Sequence, residues 1–198
     1  MIKPERTLVV FKPDAIRRGY RGLDKKILKR FMRIEGLAVV ADKSLLLGNS
    51  IPFLATDEQI DAHLPKDNDW FKNAGEKTLK LFREKLKNDA EDFAVNSFGA
   101  LDAIEIGKKI REWNFKFYKS GPIRVLIIEG YDAIWQVRKL IGPTFPCDAL
   151  PGTIRGDFSI DSPIISALEK RAVENLIHAS SSKTDADREI KNWFPKLA

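Results

Sequence analysis

Thr7-Leu8-Val9-Val10-Phe11, closed by Lys12-Pro13, is a run of β-branched and apolar residues that ends at a proline. A short run of this kind reads as a buried strand, and a proline without an N–H ends its ladder. Working outward, Leu23 to Glu35 places Leu23, Ile27, Phe31 and Ile34 at helical spacing with lysine and arginine between, and Gly36 stops it. Leu37 to Val40 and the Leu45-Leu46-Leu47 run read as a second strand, bent between the two.

The same order returns later in the chain. Ser120-Gly121-Pro122 is a break. Ile123 to Ile128 reads as another buried strand, and Tyr131 to Ile141 as an amphipathic helix carrying Ile134, Val137 and Ile141. Asn175 to His178 reads as a short last strand, and Thr184 to Phe194 as a closing helix capped near Ser182 or Thr184. Strand–helix–strand repeated in this way is the split β-α-β arrangement. It predicts an α/β (α+β) chain with a ferredoxin-like, four-stranded antiparallel sheet covered by helices, forming one domain over residues 1–198.

Between the halves lie some charged, helical residues beyond Pro52, with helix candidates at Gly75 to Lys87 and Ile104 to Tyr118. The second of these sets Ile106, Ile110, Trp113 and Phe117 on one face. Gly142 to Asp157 holds three prolines and three glycines and predicts an irregular loop. A loop of that length in a compact domain is usually functional.

Composition narrows the class. The 198 residues are 43% hydrophobic and 31% charged, enough for an ordinary globular core under a wet surface. The 34 basic against 28 acidic side chains leave a net charge of +6, which suits a polyanion such as a nucleotide or nucleic acid. On charge alone, a lysine-rich solvated surface is the simpler reading. The single cysteine, Cys147, excludes an internal disulfide and a thiolate metal cluster and fits a reducing cytosol. No stretch is apolar enough for a membrane span or a signal peptide. The sequence holds no Walker loop, no dinucleotide glycine fingerprint and no histidine pair at zinc spacing. Ser180 to Lys183 matches S-x-x-K, but without its companion motifs that is a chance match.

Four segments carry the functional reading: Thr7 to Ala15 (TLVVFKPDA), Arg138 to Thr144 (RKLIGPT), Pro151 to Phe158 (PGTIRGDF) and Asn175 to Ser180 (NLIHAS). Together, in this order, they resemble the nucleoside diphosphate kinase family. The resemblance spans about three quarters of the chain and is weakest from Ile51 to Ala103. It implies reversible transfer of the terminal phosphate from a nucleoside triphosphate to a nucleoside diphosphate, by a ping-pong route through a phosphohistidine. A neutral imidazole is a competent phosphate relay near neutral pH, provided one ring nitrogen is held while the other attacks.

By the same resemblance His178 is the nucleophile and Glu189, on the following helix, orients it. Lys12 meets the sugar hydroxyl and the transferred phosphate, Arg138 and Thr144 hold the distal phosphates, and Arg155 braces the terminal one. Asn175 binds the ribose 3′ hydroxyl, one step from the histidine. Mg²⁺ is expected to arrive with the nucleotide, since no carboxylate cage is visible and no protein metal ligand is assigned. A cytoplasmic homo-oligomer, a hexamer as in much of the family, is the implied assembly.

The sequence departs from the family pattern in places. Leu64, after His63, replaces a tyrosine whose hydroxyl lies near the phosphate. Ile110 and Asn114 stand where an aromatic and a leucine usually clamp the base. Ala179 replaces a glycine, and Ser181 an aspartate that helps the hydrated metal. His63 falls in a variable region. Residues 65–105 and 161–174 look like helical insertions shared with longer members, archaeal ones among them, and Ile164, Ile165, Leu168 and Val173 predict a helix in the second. Two other readings remain. One is an idle relative that only binds nucleotides. The other is a nucleic-acid binder, which would show a steep salt dependence of affinity.

Overall fold

The structure, a computed structural model, describes residues 3–18, 23–43 and 52–197. β1 (Glu5–Phe11), β2 (Leu37–Asp42), β3 (Arg124–Gly130) and β4 (Ile177–Ala179) form one sheet in the order β2-β3-β1-β4, and every pairing is antiparallel. This is the predicted ferredoxin-like sheet, with the first strand at its centre. The Leu45-Leu46-Leu47 run lies outside the described residues.

β1 is buried on both faces because its side chains alternate between two cores. Val9 and Phe11 pack with Leu126 and Ile128 of β3 on one side, against α1 (Pro13–Arg17), α2 (Leu23–Met32) and α7 (Ala133–Ile141). Leu8 and Val10 pack with Val125 and Ile127 on the other, against α3 (Asp57–His63), α6 (Ala103–Lys119) and α10 (Lys183–Trp193). α2 ends at Met32, sooner than its apolar spacing predicts, and the chain turns through Gly36 at φ +78° into β2. Arg124 of β3 then ties α2 to β2, reaching Asp24 at 3.3 Å and Asp42 at 2.6 Å.

The region between the halves is more regular than its sequence suggests. α4 runs Asn68–Leu86, starting seven residues before the predicted Gly75 because Asp67 caps it by accepting from Trp70 N. α5 (Ala90–Phe98) and α6 follow, and Phe82, Ala94 and Ile106 form a third apolar cluster among them. α4 and α6 cross closely. A Cβ at Gly75 would lie 2.0 Å from the Ala103 carbonyl oxygen, and one at Gly107 would lie 2.1 Å from that of Phe71.

Two expectations need correction. The loop Gly142 to Asp157 is not wholly irregular: it holds a 3₁₀ turn at Pro146–Asp148 and the start of α8 (Ile154–Phe158), capped by Thr153. The helix expected over 161–174 is only α9 (Pro163–Leu168). Lys170, at φ +50°, turns the chain back, and the Asp161 carboxylate takes both Arg171 at 2.6 Å and the Glu174 amide at 2.6 Å.

Candidate active site

β4 sets the direction of the key side chain. It is short, with Val10 opposite His178 and Phe11 opposite Ile177. Ile177 and Ala179 face the α2/α7 core, so the alternation turns His178 to the other face, toward α10. Asn175 is not in the strand, as the sequence suggested. It precedes a tight γ-turn in which Ile177 N bonds Asn175 O at 2.7 Å and buried Leu176 takes φ +67°, a strained setting for a leucine. Surrounding bonds hold it there: Lys12 N to Leu176 O at 2.8 Å, Leu176 N to the Asp14 carboxylate at 2.9 Å, and Arg155 to the carbonyls of Asn175 and Ile177.

His178 Nε2 lies 3.0 Å from both oxygens of Glu189. Burial alone would raise the Glu189 carboxyl, but the charge and hydrogen bond of His178, the nearby His63 and a bond from Ser180 outweigh it and hold the group at about 2. An ionised carboxylate only accepts, so Nε2 carries the hydrogen and, in the neutral ring, Nδ1 carries the lone pair. No hydrogen bond to Nδ1 is formed among the described residues. Ser180 Oγ fixes the carboxylate in turn, donating to it at 2.8 Å while accepting from Leu8 N at 3.2 Å. The S-x-x-K serine is therefore a brace for Glu189.

Every residue singled out from the sequence, His178, Glu189, Lys12, Ile110, Arg138, Thr144, Arg155 and Asn175, lines one cleft of about 1100 Å³. Lys12 Nζ donates to Asn175 Oδ1 at 2.7 Å, and Asn175 Nδ2 donates to Thr144 O at 2.8 Å. Burial and the neighbouring Arg155 lower the Lys12 ammonium to about 8, although Asp14 opposes them. Arg155 is also buried, and burial with Arg138 lowers it to about 10. Four of its hydrogens are engaged by the carbonyls of Asn175, Gly142, Pro143 and Ile177. Arg155 thus clamps the loop and the γ-turn together, which leaves one guanidinium hydrogen for a ligand. Arg138 and Thr144 stand exposed at the rim.

The far end of the cleft comes from the helical region. Ile110 and Asn114 of α6 line it with Trp70 of α4 and with Phe145. The Asn114 amide is turned back, donating to Ile110 O at 3.0 Å.

Three further residues, His63, Trp193 and Tyr118, sit beside His178 or brace its neighbour. His63, which the sequence placed in a variable region, is fully buried with its ring centroid 4.6 Å from that of His178. Trp193 Nε1 donates to its Nδ1 at 3.3 Å, and its Nε2 is 3.2 Å from Tyr118 Oη. Burial, followed by the nearby His178, lowers His63 to about 3, so it stays neutral. Its helical spacing with Ile60 and Leu64 was the available signal for burial. Donor atoms of His63, His178 and Glu189 lie within 4.8 Å of one another. That nitrogen-rich set does not suit Mg²⁺, which takes oxygen ligands, and both His63 nitrogens are already engaged.

The site and fold have counterparts among known proteins. The family model described as nucleoside diphosphate kinase matches residues 76–198. A nucleoside diphosphate kinase from Pyrobaculum aerophilum is 43% identical over 190 residues, covering 96% of this chain and 94% of the relative. One from Methanocaldococcus jannaschii is 33% identical, covering 96% and 93%. The crystal structure of an NDP kinase from P. aerophilum superposes with a TM-score of 0.84 at 40% identity, covering 98% of this chain and 97% of that one. A transition-state mimic of the Borrelia burgdorferi enzyme, with bound vanadate and ADP, gives 0.69 at 28% identity, covering 100% and 90%.

Proposed function

The chain belongs to the nucleoside diphosphate kinase family, and from that premise we propose that His178 Nδ1 is the atom that carries the phosphate. The activity is transfer of the terminal phosphate from a nucleoside triphosphate to a nucleoside diphosphate through a phosphohistidine. In the first half, the Nδ1 lone pair attacks the γ-phosphorus in line while the bond from phosphorus to the β-bridging oxygen breaks. The diphosphate leaves, and a second diphosphate attacks the phosphohistidine in the same cleft. The protein's part is positioning and charge compensation. Glu189 holds the Nε2 hydrogen and stabilises the ring as it becomes cationic. Lys12 and the remaining Arg155 hydrogen face the moving group, Arg138 and Thr144 take the distal phosphates, and Asn175 with Lys12 meets the sugar. Ile110 and Asn114 flank the base.

Mg²⁺ fits as a companion of the nucleotide, since the oxygen donors Asp185 and Ser181 line the same cleft and can meet its waters. When bound, it neutralises charge on the phosphate oxygens.

The observation that carries this reading is the grip of both Glu189 oxygens on Nε2. Brief incubation with γ-labelled ATP should give a label that survives alkali and is lost in acid. Phosphorus NMR should report the Nδ1 isomer. His178→Ala should reduce label and steady-state transfer to background while ATP still binds. Label that persists in that variant would sink the assignment.

The chain acts as one domain, with residues 65–105 and 161–174 as its insertions, in the cytoplasm and as a homo-oligomer, a hexamer. The exposed Tyr131, Trp135 and Leu150 support assembly. Among the described residues no helix is long and apolar enough to cross a membrane. Light scattering across a dilution series tests the assembly, and a monomer at every concentration refutes it.

A further inference from the structure

Trp193, His63 and Tyr118 form a chain of hydrogen bonds whose direction follows from chemistry. An indole N–H only donates, so His63 Nδ1, 3.3 Å from Trp193 Nε1, must carry a lone pair. A neutral imidazole then has its hydrogen on Nε2, and that nitrogen lies 3.2 Å from Tyr118 Oη. The imidazole donates and the phenol oxygen accepts. Tyr118 keeps a hydrogen of its own, and no acceptor for it is found among the described residues. The residue is 2% exposed, a setting in which a hydroxyl hydrogen normally has a partner.

An acceptor can arrive from the cleft. Tyr118 lines it together with Lys12, Arg155 and His178, and Lys12 Nζ is 5.6 Å from the phenol ring centroid. We propose that Tyr118 is a further catalytic residue: its hydroxyl donates a hydrogen bond to an oxygen of the phosphoryl group in transfer. His63 and Trp193 are positioning residues that keep the phenol oxygen an acceptor and its hydrogen available. Burial, with Glu189 and Asp14 nearby, holds the phenol well above its ordinary range, so it remains a donor. The arrangement also explains a buried histidine beside the nucleophile that is not itself a nucleophile. Both its nitrogens are engaged, and Glu189 and Trp193, one helical turn apart on α10, orient the two rings separately.

The inference rests on His178 as the phosphate carrier, and its test separates the two. Tyr118→Phe keeps the ring and removes the hydroxyl. In a single turnover with ATP, its rate of enzyme phosphorylation should fall about ten- to a hundredfold, with KM for ATP and the melting temperature nearly unchanged. Adding His63→Phe should lower the rate little further, because the two act as one chain. If Tyr118→Phe does not fold, 3,5-difluorotyrosine at position 118 keeps the shape and acidifies the hydroxyl. The fall of the phosphorylation rate with rising pH should then begin at a lower pH than in the natural protein. An unchanged rate in Tyr118→Phe, or an unchanged pH profile with difluorotyrosine, overturns the role of Tyr118 while leaving His178 in place. A natural protein that takes no alkali-stable label overturns both.

Discussion

The two ends of the cleft are built differently. At the phosphate end, Lys12, Asn175, Arg155 and Glu189 are buried, and each is bonded to a strand end, to the γ-turn or to another site residue. At the base end, Ile110, Asn114 and Trp70 are side chains of α4 and α6, and Asn114 bonds its own helix. One end has its polar groups fixed before a ligand arrives, which is what stabilising a developing charge requires. The other sets the apolar faces of Ile110 and Trp70 beside polar side chains of α4, Asn73 and Lys77 among them. With phosphate and base placed as proposed, discrimination is expected to rest on the phosphate more than on the base.

The largest effect expected within this comparison comes from Glu189→Gln. The amide can present its NH₂ to His178, which forces the lone pair to Nε2 and the hydrogen to Nδ1. Phosphoenzyme formation should fall roughly 10²- to 10⁴-fold with nucleotide binding largely kept. A loss confined to binding would show that the carboxylate does not set the tautomer.

Next is Lys12, whose ammonium is lowered from 10.5 to about 8. As pH rises through about 8 the free protein loses this charge, so kcat/KM for the nucleotide should fall, and Lys12→Gln should lack that limb. Stability should move the other way. The folded-state value is below the unfolded one, so between about 8 and 10.5 the unfolded chain holds more protons and stability gains with pH. The penalty is present in full below about 8. Denaturation of the natural protein against Lys12→Gln across this range measures it, and parallel curves would contradict the lowered value.

The smallest effects belong to the base end. Ile110→Ala removes apolar contact and should change kcat/KM by about tenfold or less. Rates with ADP, GDP, CDP and UDP should stay within about a hundredfold of one another. A steeper preference would mean that this end holds a polar reader after all.

The phosphate end was legible in the sequence because its residues sit in short segments with rigid local geometry. Lys12 follows a strand closed by proline, and Arg155 lies in a glycine- and proline-bounded turn. The sheet was legible because β1 and β3 are apolar on both faces. Asn175 was misplaced into the strand because nothing in the letters Asn-Leu-Ile-His announces a positive φ at a leucine; the tertiary bonds from Arg155, Asp14 and Lys12 impose it. The position of His63 was hidden because it depends on α3 and α10 meeting, a contact between residues 130 apart. The extent of α4 was not legible because polar Asn68, Asp69, Lys72 and Asn73 interrupt the apolar spacing of its first two turns, and its crossing with α6 depends on the backbone approach at Gly75 and Gly107.

The sheet order has a consequence for how the molecule comes into being. β1 lies beside β4, so the bond from Lys12 to Asn175 joins residues 163 positions apart. Closing so long a loop is entropically unfavourable until the strands between are in place, and pairings of high sequence separation form slowly. The helices of residues 57–119 can assemble from local contacts well before that closure. A refolding chain should therefore regain much of its helix before it can accept a phosphate, an order that circular dichroism followed alongside phosphoenzyme formation would check.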